Sequence, residues 1–422
     1  MKEIVPVASV DATIAVPGSK SLTQRALIAA ALADGRSRLL DPLTSEDTDY
    51  TSKALGQMGA SVHKEKDSWQ LMGNSGRIIT PNDVIYLGNN GTATRFLTSV
   101  AALGHGLFTI DGEERMRERP IGPLMEALKG WGVDIISVAG TGCPPLRINS
   151  HGLQGGETVL PEGKSSQYLS SLLLVAPYAA RPAILQVRGE VLSKPYVAMT
   201  LSVMADFGIE VDCNQELTRF VIPQGCYRAM EYQIEGDASN ASYFWAAAAI
   251  TAGRVTVSNV PVPSLQGDTR LVPLLARMGC EISREGGGIM VQGRERLEGI
   301  TVDMGDMPDV VPTLAVVAAF AHGKTVIRNI AHLRIKECDR LSAVVTELTR
   351  MGAQVEEQQD SMIIHGDGGV NLHGAVIDTY KDHRMAMSFA VAGLKVAGVQ
   401  IQDEGCVAKS FPDFWERFSW LA

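Results

Sequence analysis

Features that would indicate a disulfide framework, a metal site or a membrane span are missing from this sequence of 422 residues. Its six cysteines are scattered singly, without a Cys-x-x-Cys pair, so zinc-ligand spacing is absent and a disulfide framework is improbable. The longest apolar stretch, residues 310–321, contains Pro312 and Thr313 and is too short to cross a bilayer. Residues 1–6 have neither an apolar signal core nor the character of a transit peptide. We therefore expect a cytoplasmic protein with reduced thiols, no bound metal and no contact with a membrane.

Positive charge is also scarce. Lys and Arg number 38 against 47 Asp and Glu, which gives a formal net charge of −9. Such a balance disfavours nucleic acid as a partner. The sequence contains no His-Glu-x-x-His zinc motif, no Gly-x-Ser-x-Gly nucleophile motif and no complete phosphate-binding loop. Any site for an anion must therefore be a local cluster of cations in an acidic protein.

What the sequence does have is an internal repeat. A predicted amphipathic helix that ends in an apolar residue, followed by Gly and a short alternating run, occurs first at Met58-Gly59-Ala60-Ser61-Val62. The glycine returns at intervals of 71 to 76 residues, at Gly132, Gly208, Gly279 and Gly352. A glycine in this place is typical of a helix C-terminus that leads into a strand. The constant period predicts stacked copies of one supersecondary unit.

An Ala-rich helix with a polar start keeps the same period. The six predicted helices cover residues 20–33, 90–103, 165–176, 237–252, 309–321 and 382–397. Alanine favours helix and lets helices pack closely, so these helices are predicted to be buried. The apolar residues at the ends of the other helices, Met58, Trp131, Phe207 and Met278, are predicted to lie in the core.

The sixth unit has no predicted strand after its second helix, near residues 412–421. We expect the strands of residues 4–16 to complete this unit. The predicted fold class is therefore α/β, with two similar domains that each contain three repeated βαβα-type units. The first domain covers residues 20–235, and the second combines residues 1–19 with 236–422.

Cations recur at the predicted helix starts. They are Lys20, Arg119, Lys194, Lys336, Arg384 and Lys409. Because the backbone N–H groups and the dipole already make a helix N-terminus positive, a cation there is unfavourable unless it shares a bound anion with them. The pattern predicts two anion sites in a cleft between the domains. Asp309 and Glu337 supply carboxyl groups for proton transfer there.

Simpler interpretations exist for each of these residues taken alone. Ser165, Asp237, Asp309 and Asp382 occupy positions where such side chains usually cap helices. A single cation in a first turn is usually solvated, and His383 alone fits a structural histidine as well as a site residue. The recurrence of six cations at equivalent points of the repeat favours the anion sites.

Polar segments on this repeat, among them Asn89-Asn90-Gly91-Thr92 and Asp382-His383-Arg384, resemble a known family. The matching segments are residues 17–21 with Arg25, 87–95, 119–122, 165–167, 193–196, 235–239, 308–309, 334–340, 382–387 and 409–413. In this order they resemble the 5-enolpyruvylshikimate-3-phosphate synthases of the enolpyruvyl transferase family, over essentially the whole chain. The resemblance implies an inside-out α/β barrel in each domain and transfer of enolpyruvyl from phosphoenolpyruvate to the 5-hydroxyl of shikimate 3-phosphate, without a cofactor.

The same resemblance implies roles for individual residues. The residues implied for shikimate 3-phosphate are Lys20, Ser21, Arg25, Ser165, Ser166, Gln167, Ser193, Tyr196, Asp309, His332 and Lys336. Those implied for phosphoenolpyruvate are Lys20, Gly91, Arg119, Gln167, Arg340, Arg384 and Lys409. Asp309 is implied as the base at the 5-hydroxyl and Glu337 as the acid at the methylene carbon. Lys20 and His383 complete the implied catalytic group.

Two departures and two alternatives accompany the resemblance. His332 stands where many family members have Asn, and Phe96 follows Arg95 where the better-known pattern has Pro. The inhibitor glyphosate competes with phosphoenolpyruvate in this family, and Gly91 leaves room for it, so we expect sensitivity. One alternative is the sister enzyme that acts on UDP-N-acetylglucosamine, which generally uses a loop cysteine that residues 111–119 lack. The other is a non-catalytic anion-binding relative. We expect a monomer.

Overall fold

The computed structural model describes residues 1–162 and 165–421. The strands are β1 (Lys2–Glu3), β2 (Asp11–Ile14), β3 (Arg36–Leu40), β4 (Ser61–Lys64), β5 (Ser68–Met72), β6 (Ile85–Tyr86), β7 (His105–Asp111), β8 (Asp134–Ser137), β9 (Leu146–His151), β10 (Gly156–Leu160), β11 (Ala183–Val187), β12 (Asp212–Cys213), β13 (Arg219–Ile222), β14 (Glu231–Gln233), β15 (Arg254–Val257), β16 (Glu281–Glu285), β17 (Gly288–Gln292), β18 (Thr301–Asp303), β19 (His322–Arg328), β20 (Gln354–Glu357), β21 (Met362–Asp367), β22 (Val376–Ile377) and β23 (Gln400–Ile401). The α-helices are α1 (Lys20–Leu32), α2 (Glu46–Gln57), α3 (Gly91–Ala101), α4 (Gly122–Gly130), α5 (Ser166–Val175), α6 (Lys194–Asp206), α7 (Ala238–Thr251), α8 (Leu271–Arg277), α9 (Val311–Ala319), α10 (Arg340–Arg350), α11 (His383–Gly393) and α12 (Phe414–Ser419).

The chain divides into two compact units, a continuous unit (Gly18–Ile234) and a discontinuous unit (Met1–Pro17 with Glu235–Ala422). The continuous unit contains three four-stranded sheets, with strand orders β14-β3-β5-β4, β6-β7-β9-β8 and β10-β11-β13-β12. In each of them the first pair is parallel and the other two pairs are antiparallel. The three sheets of this unit thus share one pairing pattern, and each sheet corresponds to one copy of the sequence repeat.

The discontinuous unit contains the sheets β16-β17-β15-β2, β18-β19-β21-β20 and β1-β23-β22. The N-terminal strands are divided between two of these sheets, and the expectation that residues 4–16 complete the last repeat is wrong in this respect. Only β1 joins the last sheet, where Lys2 pairs with Ile401. Strand β2 pairs in parallel with β15 in the fourth repeat.

The position of β2 follows from an exchange of two strands. Within a unit, the strand before an Ala-rich helix pairs with the strand after that helix, as β6 and β7 do on either side of α3. At the two chain crossings the partners are exchanged, because β2 precedes α1 but pairs with β15, whereas β14 precedes α7 but pairs with β3. The exchange places residues 1–17 in the discontinuous unit.

The Ala-rich helices form the buried interior of each unit, as predicted from their composition. Every residue of α7, α9 and α11 is buried. The four apolar residues predicted for the core, Met58, Trp131, Phe207 and Met278, are at most 1% exposed. Across the described residues, none of the helices combines the length and the hydropathy needed to cross a membrane.

Candidate active site

Three of the six predicted helix-start cations lie in a first helical turn, and three do not. Lys20 and Lys194 are the first residues of α1 and α6, and Arg384 is the second residue of α11. Arg119, Lys336 and Lys409 instead lie in the segments before α4, α10 and α12, next to short 3₁₀ turns. The prediction was wrong for these three, because each cation lies at or just after the end of a 3₁₀ turn, and two to four residues separate it from the helix that follows.

In the discontinuous unit, Arg340 is surrounded by three carboxylates. Its Nη1 donates to Asp309 Oδ1 at 3.0 Å, its Nη2 to Glu337 Oε2 at 2.6 Å and its Nε to Asp382 Oδ2 at 2.7 Å. The Arg340 side chain is only 1% exposed. Burial by itself lowers the pKa of Arg340, but the carboxylates of Asp382, Glu337 and Asp309 together raise it well above its ordinary value. Arg340 is therefore a fixed positive charge that holds these carboxyl groups around it.

A second guanidinium binds the other oxygen of Asp309. Arg384 Nη2 donates to Asp309 Oδ2 at 2.6 Å, so the two carboxylate oxygens have different arginine partners. The Asp309 side chain remains 19% exposed. Of the four residues for which a helix cap was the simpler interpretation, Asp237 and Asp382 do cap α7 and α11 with their side chains. Asp309 instead makes ion pairs, which is the arrangement expected of a site residue.

Asp382 both caps the start of α11 and binds side chains of neighbouring residues. Its Oδ1 accepts the backbone N–H of Arg384 at 2.9 Å, and its Oδ2 accepts Arg340 Nε and the thiol of Cys338, the latter at 3.6 Å. His383 is fully buried, with Nδ1 3.6 Å from Asp382 Oδ1. The N-terminus of α11 therefore brings Asp382, His383 and Arg384 into one group with Arg340.

Asp268 is a further buried carboxyl group in this unit. Ser239 Oγ donates to Asp268 Oδ2, and the Asp268 side chain lies in the 3₁₀ turn Gly267–Arg270. Burial, and after it the negative charge of Asp309, raises the pKa of Asp268 to about 7. The charges of Asp309 and Arg384 both affect this pKa. Asp268 therefore interacts electrostatically with the arginine-carboxylate group, which consists of Arg340, Arg384, Asp309, Glu337 and Asp382.

His332 is buried within the electrostatic influence of Asp309 and Arg340. It lies in the 3₁₀ turn Ala331–Ile335, is 8% exposed, and neither ring nitrogen has a hydrogen-bond partner among the described residues. Burial, followed by the positive charge of Lys336, lowers the pKa of His332 to about 3. The ring is therefore neutral and has one donor and one acceptor available. Lys409 is also buried in this unit, at 8% exposure.

The continuous unit carries the other predicted residues at its helix starts. Lys20 Nζ lies 3.2 Å from Asp47 Oδ2, and both side chains are largely buried. The Asp47 carbonyl accepts from Asn90 Nδ2 at 2.7 Å and from Gln24 Nε2 at 3.2 Å. Asp47 therefore joins the first turns of α1 and α2 to the N-cap residue of α3.

Arg25 is held by neutral acceptors. It donates to Thr200 Oγ1, Ser170 Oγ and the carbonyls of Ser21 and Tyr196, at 2.7 to 3.1 Å. Within the described part of the chain, no carboxylate forms an ion pair with it. Burial lowers the pKa of Arg25 to about 10. The guanidinium thus stays charged at neutral pH and fixes the backbone at Ser21 and Tyr196.

Gly91 lies where two guanidinium groups approach the backbone. A Cβ atom at this position would be 2.5 Å from Arg119 Nη2 and 2.6 Å from Arg95 Nη1. Arg119 Nη1 donates to the carbonyl and to the side-chain oxygen of Asn89, each at 3.1 Å, and Arg95 Nη1 donates to the Gly91 carbonyl at 3.0 Å. A Cβ atom at the first residue of α3 would therefore require both guanidinium groups to move.

The remaining predicted residues lie at the starts of α5 and α6. Ser165 is the N-cap residue of α5, Ser166 is its buried first residue, and Gln167 Nε2 donates to Thr92 Oγ1 at 3.1 Å. Ser193 precedes α6 in a left-handed conformation with φ of 56°. Lys20, Ser165 and Ser193 thus each lie at the start of a helix of the continuous unit.

Sequence reasoning missed four contributors to these groups. Asp47 and Asp268 were given no role in the site, and Arg95 and Asp382 appeared in matching segments without a role of their own. Asp382 and Arg340 are separated by 42 positions in the chain, so only the packing of α11 beside α10 reveals their ion pair. Among the residues described, no three His, Cys, Asp or Glu side chains are grouped as metal ligands.

Comparison with known proteins gives the family of the chain. The profile of the family EPSP synthase (3-phosphoshikimate 1-carboxyvinyltransferase) matches residues 4–418. A 3-phosphoshikimate 1-carboxyvinyltransferase of Nostoc punctiforme is 46% identical over 412 residues, covering 97% of this chain and 96% of the relative. One of Syntrophobacter fumaroxidans is 44% identical over 421 residues, covering 100% and 99%.

A solved structure gives the same result at the level of the fold. EPSP synthase from Acinetobacter baumannii is similar with a TM-score of 0.83 and 27% identity, covering 100% of this chain and 98% of that one. The family profile, the relatives and the solved structure all extend over the two units and over every residue group described above. The chain therefore belongs to the EPSP synthase family.

Proposed function

We propose that this protein transfers the enolpyruvyl group of phosphoenolpyruvate to the 5-hydroxyl of shikimate 3-phosphate and releases phosphate, as the names of its relatives indicate. The observation that carries the proposal is the group of Asp309, Glu337 and Asp382 around Arg340. It combines proton-transfer carboxyl groups with buried cations in one unit of an EPSP synthase fold. In metabolic terms this is a step of the shikimate pathway.

The reaction needs three proton transfers, one at the hydroxyl and two at the methylene carbon, and two carboxyl groups are available for them. Addition of the hydroxyl to the enol carbon removes the hydroxyl proton and adds a proton to the methylene carbon. Elimination then removes a methyl proton and expels phosphate. We assign the hydroxyl proton to Asp309 and the proton at carbon to Glu337. Because Arg340 donates to both carboxylates, a proton gained by one changes the electrostatic balance at the other.

The substrates and the leaving group are anions, and each unit supplies cations for them. For phosphoenolpyruvate we propose Lys20, Gly91, Arg119 and Gln167 of the continuous unit and Arg340, Arg384 and Lys409 of the discontinuous unit. For shikimate 3-phosphate we propose Lys20, Ser21, Arg25, Ser165, Ser166, Gln167, Ser193 and Tyr196 of the former and Asp309, His332 and Lys336 of the latter. Guanidinium groups suit carboxylate by bidentate bonding, and lysine suits phosphate as a point charge.

Individual contacts in the structure support parts of this assignment. The neutral His332 ring has a donor and an acceptor for a substrate hydroxyl, as the amide side chain of Asn would. Arg25 fixes the backbone at Ser21 and Tyr196, so its support of this subsite is in part indirect. Lys20, paired with Asp47, and His383, beside Asp382, complete the proposed catalytic group.

The decisive experiment measures phosphate release from phosphoenolpyruvate without added metal. Shikimate 3-phosphate and UDP-N-acetylglucosamine are offered separately as acceptors. Release only with shikimate 3-phosphate supports the proposal, release only with the nucleotide sugar favours the sister enzyme, and release with neither favours a non-catalytic relative. Asp309→Asn and Glu337→Gln should each reduce kcat at least 100-fold, on the scale of general acid-base catalysis. The exposed Glu356→Gln is the matched control and should leave kcat unchanged.

Three secondary proposals accompany this function. Glyphosate should inhibit in competition with phosphoenolpyruvate, because it would meet the same cations. An inhibition curve that stays flat into the millimolar range would contradict this. The protein should be a monomer, which size-exclusion chromatography with light scattering tests. A cytoplasmic location fits the six free cysteines, and cell fractionation tests it.

A further inference from the structure

Glu347 is a buried carboxylate that the proposed mechanism does not use. It lies in the second half of α10, its side chain is 0% exposed, and it faces a neighbouring segment of the chain. Burying a carboxylate costs free energy unless it is paired and hydrogen-bonded. The partners of Glu347 therefore indicate its structural role.

All the partners of Glu347 belong to, or hold, the segment that leads into α11. Glu347 Oε1 accepts the hydroxyl of Tyr380 at 2.9 Å, and Oε2 accepts the backbone N–H of Asp378 at 3.2 Å. Oε2 also accepts Arg350 Nη1 at 2.7 Å, and this Nη1 donates in turn to the carbonyl of Val376 at 3.0 Å. Burial, and then the bond to Glu347, raises the pKa of Tyr380 to about 12, so its hydroxyl remains a donor at neutral pH.

This segment contains two successive residues in the left-handed conformation. Tyr380 has φ of 52° and Lys381 has φ of 55°. For residues with a side chain this conformation is unfavourable, so surrounding contacts must hold it. The residue that follows is Asp382, which caps α11 and binds Arg340.

Helix α10 therefore holds this segment at two points. Arg340, at its first residue, binds Asp382, and Glu347, seven residues later and on the same face, binds the turn before it. The two points are about 10 Å apart along the helix. Resting on the proposed function, we propose that Glu347 is a positioning residue, which fixes the strained turn 378–381 so that Asp382 and Arg384 meet Arg340 and Asp309.

The test compares Glu347→Gln with the wild type in the phosphate-release assay. The amide keeps only one acceptor oxygen and loses the charge that pairs with Arg350, so either the bonds from Arg350 and Asp378 or the bond donated by Tyr380 is weakened. We expect KM for phosphoenolpyruvate to rise about tenfold and kcat to fall several-fold, whereas KM for shikimate 3-phosphate stays within twofold. Glu356→Gln is again the matched control.

A second substitution distinguishes positioning from general destabilisation. Glycine adopts φ above zero without cost, so Lys381→Gly in the Glu347→Gln background should restore most of kcat/KM for phosphoenolpyruvate. If Glu347→Gln does not fold, Tyr380→Phe can be tested instead, because it removes only the hydrogen bond from the Tyr380 hydroxyl to Glu347. This variant should raise KM for phosphoenolpyruvate three- to fivefold.

The outcomes are separable. An active wild type whose kcat/KM for phosphoenolpyruvate is unaffected by these substitutions overturns the inference alone. A loss of activity that Lys381→Gly does not restore also overturns it, because the role is then merely structural. A wild type without turnover overturns the proposed function and this inference with it.

Discussion

Substitution of Gly91 by Ala tests how closely the anion-binding arginines are packed against α3. The added Cβ would be 2.5 Å from Arg119 Nη2, whereas ordinary contact begins at 3.4 Å. Arg119 must therefore retreat by about 0.9 Å. A movement of that size is large enough to weaken the two bonds from Arg119 Nη1 to Asn89, each at 3.1 Å.

The magnitude follows from what Arg119 is proposed to bind. A hydrogen bond to a charged group contributes about 1.5–3 kcal/mol, and 1.4 kcal/mol corresponds to a factor of ten. Displacement of one guanidinium should therefore raise KM for phosphoenolpyruvate by roughly 10- to 100-fold. KM for shikimate 3-phosphate should change by less than twofold, and inhibition by glyphosate should weaken in parallel.

The assay is steady-state phosphate release with each substrate varied in turn. Gly56→Ala is the matched control, because its Cβ meets nothing within 4 Å inside α2, and there Ala should stabilise the protein by about 0.5–1 kcal/mol without any kinetic effect. If Gly91→Ala leaves KM for phosphoenolpyruvate within twofold of the wild type, Arg119 does not bind that substrate or moves without cost, and the reasoning fails.

Three further predictions concern buried ionisable side chains of the discontinuous unit. Asp382→Asn keeps an acceptor for the N-terminus of α11 but removes the negative charge beside the buried Arg340. The free energy of unfolding, measured in urea, should therefore fall by about 3 kcal/mol, and an unchanged midpoint would contradict this expectation. The pKa of Asp268 is raised to about 7 from a value near 4 in the unfolded chain. The contribution of this group to the free energy of unfolding is therefore fully present below pH 4 and is lost as the pH rises through 7. Asp268→Asn should therefore gain stability relative to the wild type across that window, whereas parallel urea profiles would argue against a buried, perturbed carboxyl group. The pKa of His332 is lowered to about 3, so His332→Asn should not change the shape of the pH profile of kcat/KM for shikimate 3-phosphate between pH 5 and 9; disappearance of an inflection near 6.5 would refute its neutrality.

The repeat and its helices could be predicted from the sequence because they depend on local properties. Alanine content, polar N-caps and the glycine at each helix end are short-range signals, and they located α1, α3, α5, α7, α9 and α11 to within a few residues. The chemistry of the chain was predictable for a similar reason, since clustered segments such as Asp382-His383-Arg384 are contiguous in the sequence. These features determined the family and the class of reaction.

The pairing of strands β2 and β14 was decided only by the tertiary structure. Their local sequence favours a strand but does not specify which partner across more than 190 residues it joins. The arginine-carboxylate group was hidden for the same reason, because Arg340 meets Asp309 and Asp382 across 31 and 42 positions. Composition and periodicity describe neighbours along the chain, whereas burial and ion pairing depend on which helices pack together.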